Sequence, residues 1–180
     1  ELSMDPRHAA MIAHKMLELR ASVIFNLYEL KPGARHQWVK LYLEALVDSP
    51  KSLWRPTVIM IDEAHVFCPQ QGDAESADAV MDLCTRGRKR GFCAVLATQR
   101  LSKLHKDAAA EANNKLIGRS ALDIDMARAG DELGFTPKDR AMLRTMKPGH
   151  FFAFGPAISE IVVEVTVGEV ITTHPKAGQR

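Results

Sequence analysis

Thr57-Val58-Ile59-Met60-Ile61-Asp62-Glu63-Ala64-His65 carries the plan of the chain. An apolar run containing β-branched Val58, Ile59 and Ile61 passes without a break into two carboxylates. Such runs suit a strand buried on both faces, as in a parallel sheet covered by helices. Trp54-Arg55-Pro56 stands in front of it and ends the preceding helix. In open α/β sheets chemistry gathers beyond the carboxyl ends of the strands, and Asp62 and Glu63 fall at that edge.

A pair of this kind suits metal-assisted phosphoryl transfer, the pattern called Walker B. An aspartate at a strand end can hold Mg²⁺ through water, because Mg²⁺ keeps several of its own waters. The carboxylate after it can orient or deprotonate an attacking water. The plain alternative is a strand ending in solvated polar residues.

The next apolar strand is Phe92 to Thr98, followed by Gln99 and Arg100. If the two strands are parallel, Gln99 stands at the same edge as Glu63. Its amide carries donors and an acceptor, so it can bridge a phosphate oxygen and a water. The alternative is a polar strand end that caps a helix. From Arg86 to Lys106 there are seven Lys or Arg and no Asp or Glu. Such a run can be a solvated face. One of its arginines can also act as a finger on the phosphates of a neighbouring subunit's nucleotide. Arg100, Lys103 and Lys106 can contact DNA phosphates. No interleaved aromatics suggest base stacking.

Around this centre the pattern alternates. Asp5-Pro6 opens a helix with Ala9, Ile12, Ala13, Met16 and Leu17 on one face. Ser22 to Leu30 reads as a strand ending at Lys31-Pro32-Gly33. Trp38, Leu41, Tyr42, Ala45 and Leu46 mark a second amphipathic helix. Pro69 to Asp73 is a loop, and a third helix runs from about Glu75 to Thr85 with Ala77, Val80, Met81 and Cys84 inward. The alternation predicts an α/β fold with a mostly parallel sheet covered by helices. Beyond it, Asp107 caps a short helix, Lys115 to Ser120 is a strand, and Asp123 caps a helix ending at Gly134. Thr136 and Asp139 stand in a capping-box spacing. Phe151–Phe154 and Ile161–Val165 read as a late antiparallel pair around Gly155-Pro156. Arg119 reads as a strand-end salt bridge or a residue lining a nucleotide, and His150 has no evident partner.

Composition excludes several classes. The 180 residues are 46% apolar and 26% charged with a net charge of +2, so this is no nucleic-acid-coating polycation. No apolar run approaches the ~18 residues of a membrane span, and no signal peptide is visible. Three cysteines without a CxxC spacing point to a reducing, cytoplasmic compartment. His65 and Cys68 are half of a zinc pattern that no second close pair completes, while Cys84 and Cys93 read as small core residues. The chain opens on Glu1 rather than Met and reads as a piece of something longer, with His174 to Arg180 as a frayed tail.

Three segments, Asp62-Glu63-Ala64-His65, Gly87-Arg88-Lys89-Arg90-Gly91 and Ala97-Thr98-Gln99-Arg100, resemble in order and spacing the HerA branch of the HerA–FtsK superfamily. These are RecA-like P-loop ATPases that form hexameric rings and pump double-stranded DNA, often with a nuclease partner. The resemblance covers about residues 5–155. It implies ATP and Mg²⁺ as cofactors, Asp62 supporting the metal, Glu63 as catalytic carboxylate, Gln99 as sensor and Arg88 as the trans-acting finger. The chain departs from the family in two respects: no Gly-x-x-x-x-Gly-Lys-Ser/Thr occurs in it, and the family's small N-terminal barrel is absent. It therefore looks like the C-terminal part of a motor domain, inactive alone. Rivals are a conjugation or type IV secretion ATPase, and a non-hydrolysing nucleic-acid-binding or scaffold protein of the same fold. A DEAH-box helicase shares the letters of Asp62–His65 but needs a second RecA-like domain, for which the 80 residues after Arg100 are too few.

Overall fold

The computed structural model describes residues 4–169 and Ile171. The expected tail from His174 onward lies outside the described residues. Two compact units divide the chain between Ala112 and Asn113.

In the first unit, Asp5 caps a short 3-10 turn with its side chain, and helix α1 (Ala9–Leu19) follows. It buries Ala9, Ile12, Ala13 and Leu17, as the spacing required. Arg20 ends it in the left-handed region. Ser22 to Leu30 does not form the expected strand. Its carbonyls find another donor: the Arg35 guanidinium bonds Leu27 O at 3.1 Å, Tyr28 O at 3.0 Å and Leu30 O at 3.2 Å. Phe25 anchors the segment on Trp38 and Tyr42, with ring centroids at 4.7 and 5.1 Å. The apolar content of the segment serves aromatic packing rather than a sheet.

Helix α2 (Pro32–Val47) buries Trp38, Val39, Leu43, Leu46 and Val47. Strand β1 (Thr57–Ile61) leads into the one-turn helix α3 (Ala64–Phe67). Helix α4 (Ala77–Arg86) passes through a 3-10 turn, Gly87–Arg90, into strand β2 (Phe92–Leu96). β1 and β2 are parallel and in register from Thr57↔Phe92 to Ile61↔Leu96. Gly91 makes the entry to β2 possible. Its φ is +83, and a Cβ there would lie 2.8 Å from the carbonyl carbon of Arg55. Helix α5 (Lys106–Glu111) closes the unit, capped by His105 Nδ1 accepting from Asp107 N at 3.3 Å. Asp107 is thus in the first turn and is not the cap.

The strand pair is covered on one face only, not on both as the apolar run suggested. Ile59, Ile61, Phe92, Ala94 and Leu96 join the helical core. Val58 and Met60 are each 67% exposed. Strand residues alternate between faces, and the core into which α2 and α4 pack takes only the odd-numbered residues of β1. Of the cysteines, Cys68 is buried, Cys84 half-buried and Cys93 exposed, so Cys93 is not the core residue expected. Burial pushes the Cys68 and Cys84 thiols up to about 11 each.

The second unit is an antiparallel sheet in the order β3-β4-β5, formed by β3 (Lys115–Ile117), β4 (His150–Gly155) and β5 (Ser159–Thr166). Between β3 and β4 run α6 (Asp123–Leu133) and the short α7 (Met142–Thr145). The late hairpin is where the sequence placed it. Leu122, not Asp123, occupies the cap of α6, while Gly134 ends it in the left-handed region. Thr136 and Asp139 do bond reciprocally, Asp139 N donating to Thr136 Oγ1 at 3.3 Å and Thr136 Oγ1 to Asp139 Oδ2 at 2.6 Å. Two expectations fail here. Arg119 is exposed and makes no ion pair among the described residues, because β3 stops at Ile117 before reaching it. His150 does have a partner, since the cross-strand register brings its Nδ1 to 3.2 Å from Glu164 Oε1.

Candidate active site

At the carboxyl edge of β1 and β2 the ladder runs on past the strands. Ala97 N donates to Ile61 O at 3.0 Å and Ala64 N to Ala97 O at 2.9 Å. These bonds hold the two strand ends together where the polar residues begin. Asp62 Oδ1 accepts from Glu63 N at 2.9 Å. Its other oxygen stays available on an exposed side chain, which fits a metal held through water. Glu63 adopts φ 48, ψ 44, the left-handed region, which costs a non-glycine residue about 1–2 kcal/mol. Among the described residues only Arg20, at a helix end, shares this feature outside glycine. Strain of this kind concentrates at functional sites.

The Glu63 side chain is 39% exposed. Its Oε2 is buried and has no aligned hydrogen bond. His65 Nδ1 lies 3.3 Å from that oxygen and 2.9 Å from Thr98 Oγ1. Thr98 Oγ1 also accepts from Arg100 N at 3.0 Å. Gln99 is exposed beside it. The structure therefore brings Asp62, Glu63, His65, Thr98 and Gln99 to one edge. His65 and Thr98 escaped the sequence reading as site residues. The usable signal was position: each adjoins or nearly adjoins a singled-out residue on a different strand end.

Arg88 is elsewhere. It sits exposed in the 3-10 turn before β2, at the amino edge of the pair. Its basic neighbours are tied down. Arg86 pairs with Asp82 and Asp48. Arg90 donates to Arg86 O at 2.9 Å and lays its guanidinium 5.1 Å from the Trp54 ring. The Arg88 side chain has no hydrogen bond or ion pair among the described residues, while its carbonyl accepts from Gly91 N at 3.1 Å. Lys103 and Lys106 are exposed and held at their backbones by Gln70: Gln70 N donates to Lys103 O at 2.7 Å, and Lys106 N donates to Gln70 Oε1 at 2.7 Å. Arg100 is half-buried. Among the described residues no group of three or more His, Cys, Asp or Glu is placed to hold a metal by itself. No described helix is long and apolar enough to cross a membrane.

A model of the family described as zonular occludens toxin (Zot) matches residues 12–128, which include the whole of this edge. The chain belongs to that family. It is a P-loop ATPase-type domain of the HerA–FtsK superfamily. Over 87 residues it is 30% identical to the probable DNA double-strand break repair helicase HerA of Methanocaldococcus jannaschii, covering 47% of the chain and 17% of the helicase. Over 65 residues it is 38% identical to the DNA double-strand break repair helicase HerA of Pyrococcus furiosus, covering 36% of the chain and 12% of the helicase. The match thus spans less than a fifth of either relative.

Among solved structures, the genome packaging NTPase B204 from Sulfolobus turreted icosahedral virus 2, in complex with sulfate, superposes with a TM-score of 0.59 at 17% identity. That match covers 74% of this chain and 63% of the other. The same NTPase in complex with ATP-gammaS superposes with a TM-score of 0.54 at 18% identity, over 72% and 62% of the two chains. At this identity the likeness establishes the fold, an α/β fold of the P-loop NTPase class.

Proposed function

We propose that this chain carries the Walker B, arginine-finger and sensor segments of an ATP-driven DNA translocase or helicase of HerA type. The observation that carries the proposal is the common edge at which Asp62, Glu63 and Gln99 stand, beyond parallel β1 and β2. When bound, Mg²⁺-ATP supplies the electrophilic phosphorus and the charge that the site must hold. Asp62, with one oxygen engaged by Glu63 N, would hold Mg²⁺ by way of water through its other oxygen. Glu63 accepts the proton of the attacking water. Gln99 reads the terminal phosphate with its amide. Arg88 reaches the nucleotide of a neighbouring subunit in a hexameric ring. Lys103 and Lys106, with Arg100 beside them, face the phosphates of double-stranded DNA. A nuclease partner would fit DNA end processing.

The 180 residues contain no loop of P-loop sequence, so the phosphate cradle must come from elsewhere in the protein, and this chain alone should turn over ATP negligibly. The experiment is Glu63→Gln in the protein that carries both the P-loop and this chain. ATP binding should persist while turnover falls by ~10²-fold or more, since the shape is kept and the base removed. Near-normal turnover would sink the assignment.

A further inference from the structure

Glu63 Oε2 poses a problem that Asp62 and Gln99 do not solve. It is buried without an aligned hydrogen bond. An ionised carboxylate oxygen accepts only, and leaving it unpaired away from water is costly. His65 Nδ1, 3.3 Å away, is the donor at hand. The same nitrogen is already engaged with Thr98 Oγ1 at 2.9 Å. The imidazole is 17% exposed and rides on the first turn of α3, which Ala64 N fastens to Ala97 O. It is thus wedged between the ends of β1 and β2, touching the strained carboxylate of one and the hydroxyl next to Gln99 on the other.

We infer that His65 is a positioning residue that couples the Glu63 carboxylate to the Thr98–Gln99 strand end. The inference rests on the function proposed above. Thr98 Oγ1 accepts from Arg100 N and keeps one O–H of its own to give. Two arrangements follow. With the proton on Nδ1, the ring donates to Thr98 Oγ1 and, after a small rotation, to Glu63 Oε2, which gains the partner it lacks. With the proton on Nε2, Nδ1 accepts the Thr98 hydroxyl, and its lone pair then faces the carboxylate and turns it away. A shift of the Thr98–Gln99 backbone alters the Nδ1–Thr98 contact and so changes where Glu63 points. The rival is a histidine that only packs the start of α3 and is satisfied by Thr98.

Two measurements separate these. The first needs no hydrolysis: ring ¹⁵N shifts of His65 in the 180-residue chain, at mildly alkaline pH. A protonated Nδ1 in the wild type, moving toward the Nε2-protonated form in Glu63→Gln, is expected. An Nε2-protonated ring indifferent to Glu63→Gln overturns the coupling, whether or not the protein proves to be an ATPase. The second uses the complete ATPase. His65→Ala and Thr98→Val should each lower kcat by about 10²-fold with KM for ATP within about twofold, as displacement of a reacting group does. Thr98→Ser should restore the rate, and the double variant His65→Ala/Thr98→Val should be no slower than His65→Ala. Additive losses, or losses confined to KM or to folding, overturn it. A coupled His65 ring in a protein whose Glu63→Gln variant turns over ATP normally supports the positioning contact and removes Glu63 as the catalytic carboxylate instead.

Discussion

Arg88 and Glu63 stand at opposite ends of one parallel strand pair. Arg88 belongs to the turn that feeds Phe92, and Phe92 pairs with Thr57 at the start of β1. Glu63 lies two residues beyond Ile61 at the other end. Five paired residues at ~3.3 Å each separate their levels by more than about 13 Å. Within one subunit Arg88 cannot reach a nucleotide held at Glu63. Any part it takes in hydrolysis must be played on a neighbour.

The turn that carries Arg88 depends on Gly91. Its backbone sits in the left-handed region, and an added Cβ would strike the Arg55 carbonyl. Gly91→Ala should therefore cost about 2–4 kcal/mol, from both strain and overpacking. Gly72→Ala is the control. It has the same φ of +83 with nothing within 4 Å, and should cost only about 1–2 kcal/mol. Urea unfolding followed by tryptophan fluorescence measures both, since Trp38 and Trp54 lie in the first unit. Equal costs would show that the Arg55 contact relaxes freely.

Much of this arrangement is legible in the letters. The apolar run ending in Asp62-Glu63 and the second ending before Gln99 fix a shared sheet edge, because parallel strands end on the same side. The late hairpin is legible through Gly155, whose φ of +127 few other residues tolerate. Contacts between residues distant in sequence are not legible. Ser22–Leu30 is apolar enough to read as a strand, but Arg35 bonds the Leu27, Tyr28 and Leu30 carbonyls. His65 and Thr98 meet across 33 positions of sequence. Nothing local ranks Arg88 above Arg86 and Arg90. Asp48 and Trp54, far back in the chain, tie up those two and leave Arg88 free. Cap positions at Asp107 and Asp123 miss by a residue or two because either neighbour can start a helix.

In the second unit, Glu132 of α6 takes an ion pair from Lys115 on β3 and a second from Arg128 at 2.9 Å. Burial works to raise its carboxyl, but the hydrogen bonds from Lys115 and Arg128 outweigh it and hold it below its ordinary 4.5. A depressed folded-state value means stabilisation that is full above pH 4.5 and fades as pH falls through the folded value. Glu132→Gln should destabilise this unit by about 2 kcal/mol near neutrality and remove that part of its acid sensitivity. Amide exchange of β3 and α6 against pH is the measurement. An unchanged acid profile in the variant would assign the sensitivity to other carboxylates.

Lys103 and Lys106 are exposed, with no ion pair among the described residues, on backbones that Gln70 fixes. Neutralising both as Lys103→Gln/Lys106→Gln should weaken DNA binding evenly across sequences. The log–log salt slope should flatten by about one unit per lost phosphate contact. Arg100 is the less suitable probe, since it is half-buried and lies two residues from Thr98 at the candidate site. A slope equal to that of the unaltered protein would make the two lysines a solvated face.

The geometry of Arg88 makes the sharpest prediction. A finger contributes ~10³–10⁵ in rate where it acts, and a guanidinium can fork onto phosphate oxygens as an ammonium cannot. Arg88→Ala in the complete protein should abolish ATPase activity while leaving nucleotide binding and the melting temperature nearly unchanged, because the exposed Arg88 side chain makes no hydrogen bond or ion pair among the described residues. Arg90→Ala should do the reverse. It loses the Trp54 contact and the bond to Arg86 O, costing about 1–2 kcal/mol of stability with a smaller effect on turnover. Mixing Arg88→Ala subunits with Glu63→Gln subunits, each inactive alone, should restore part of the activity. Some interfaces then join an intact Glu63 to an intact Arg88, which the separation of the two residues within one subunit makes the only productive pairing. Full activity in Arg88→Ala would remove this arginine from the mechanism.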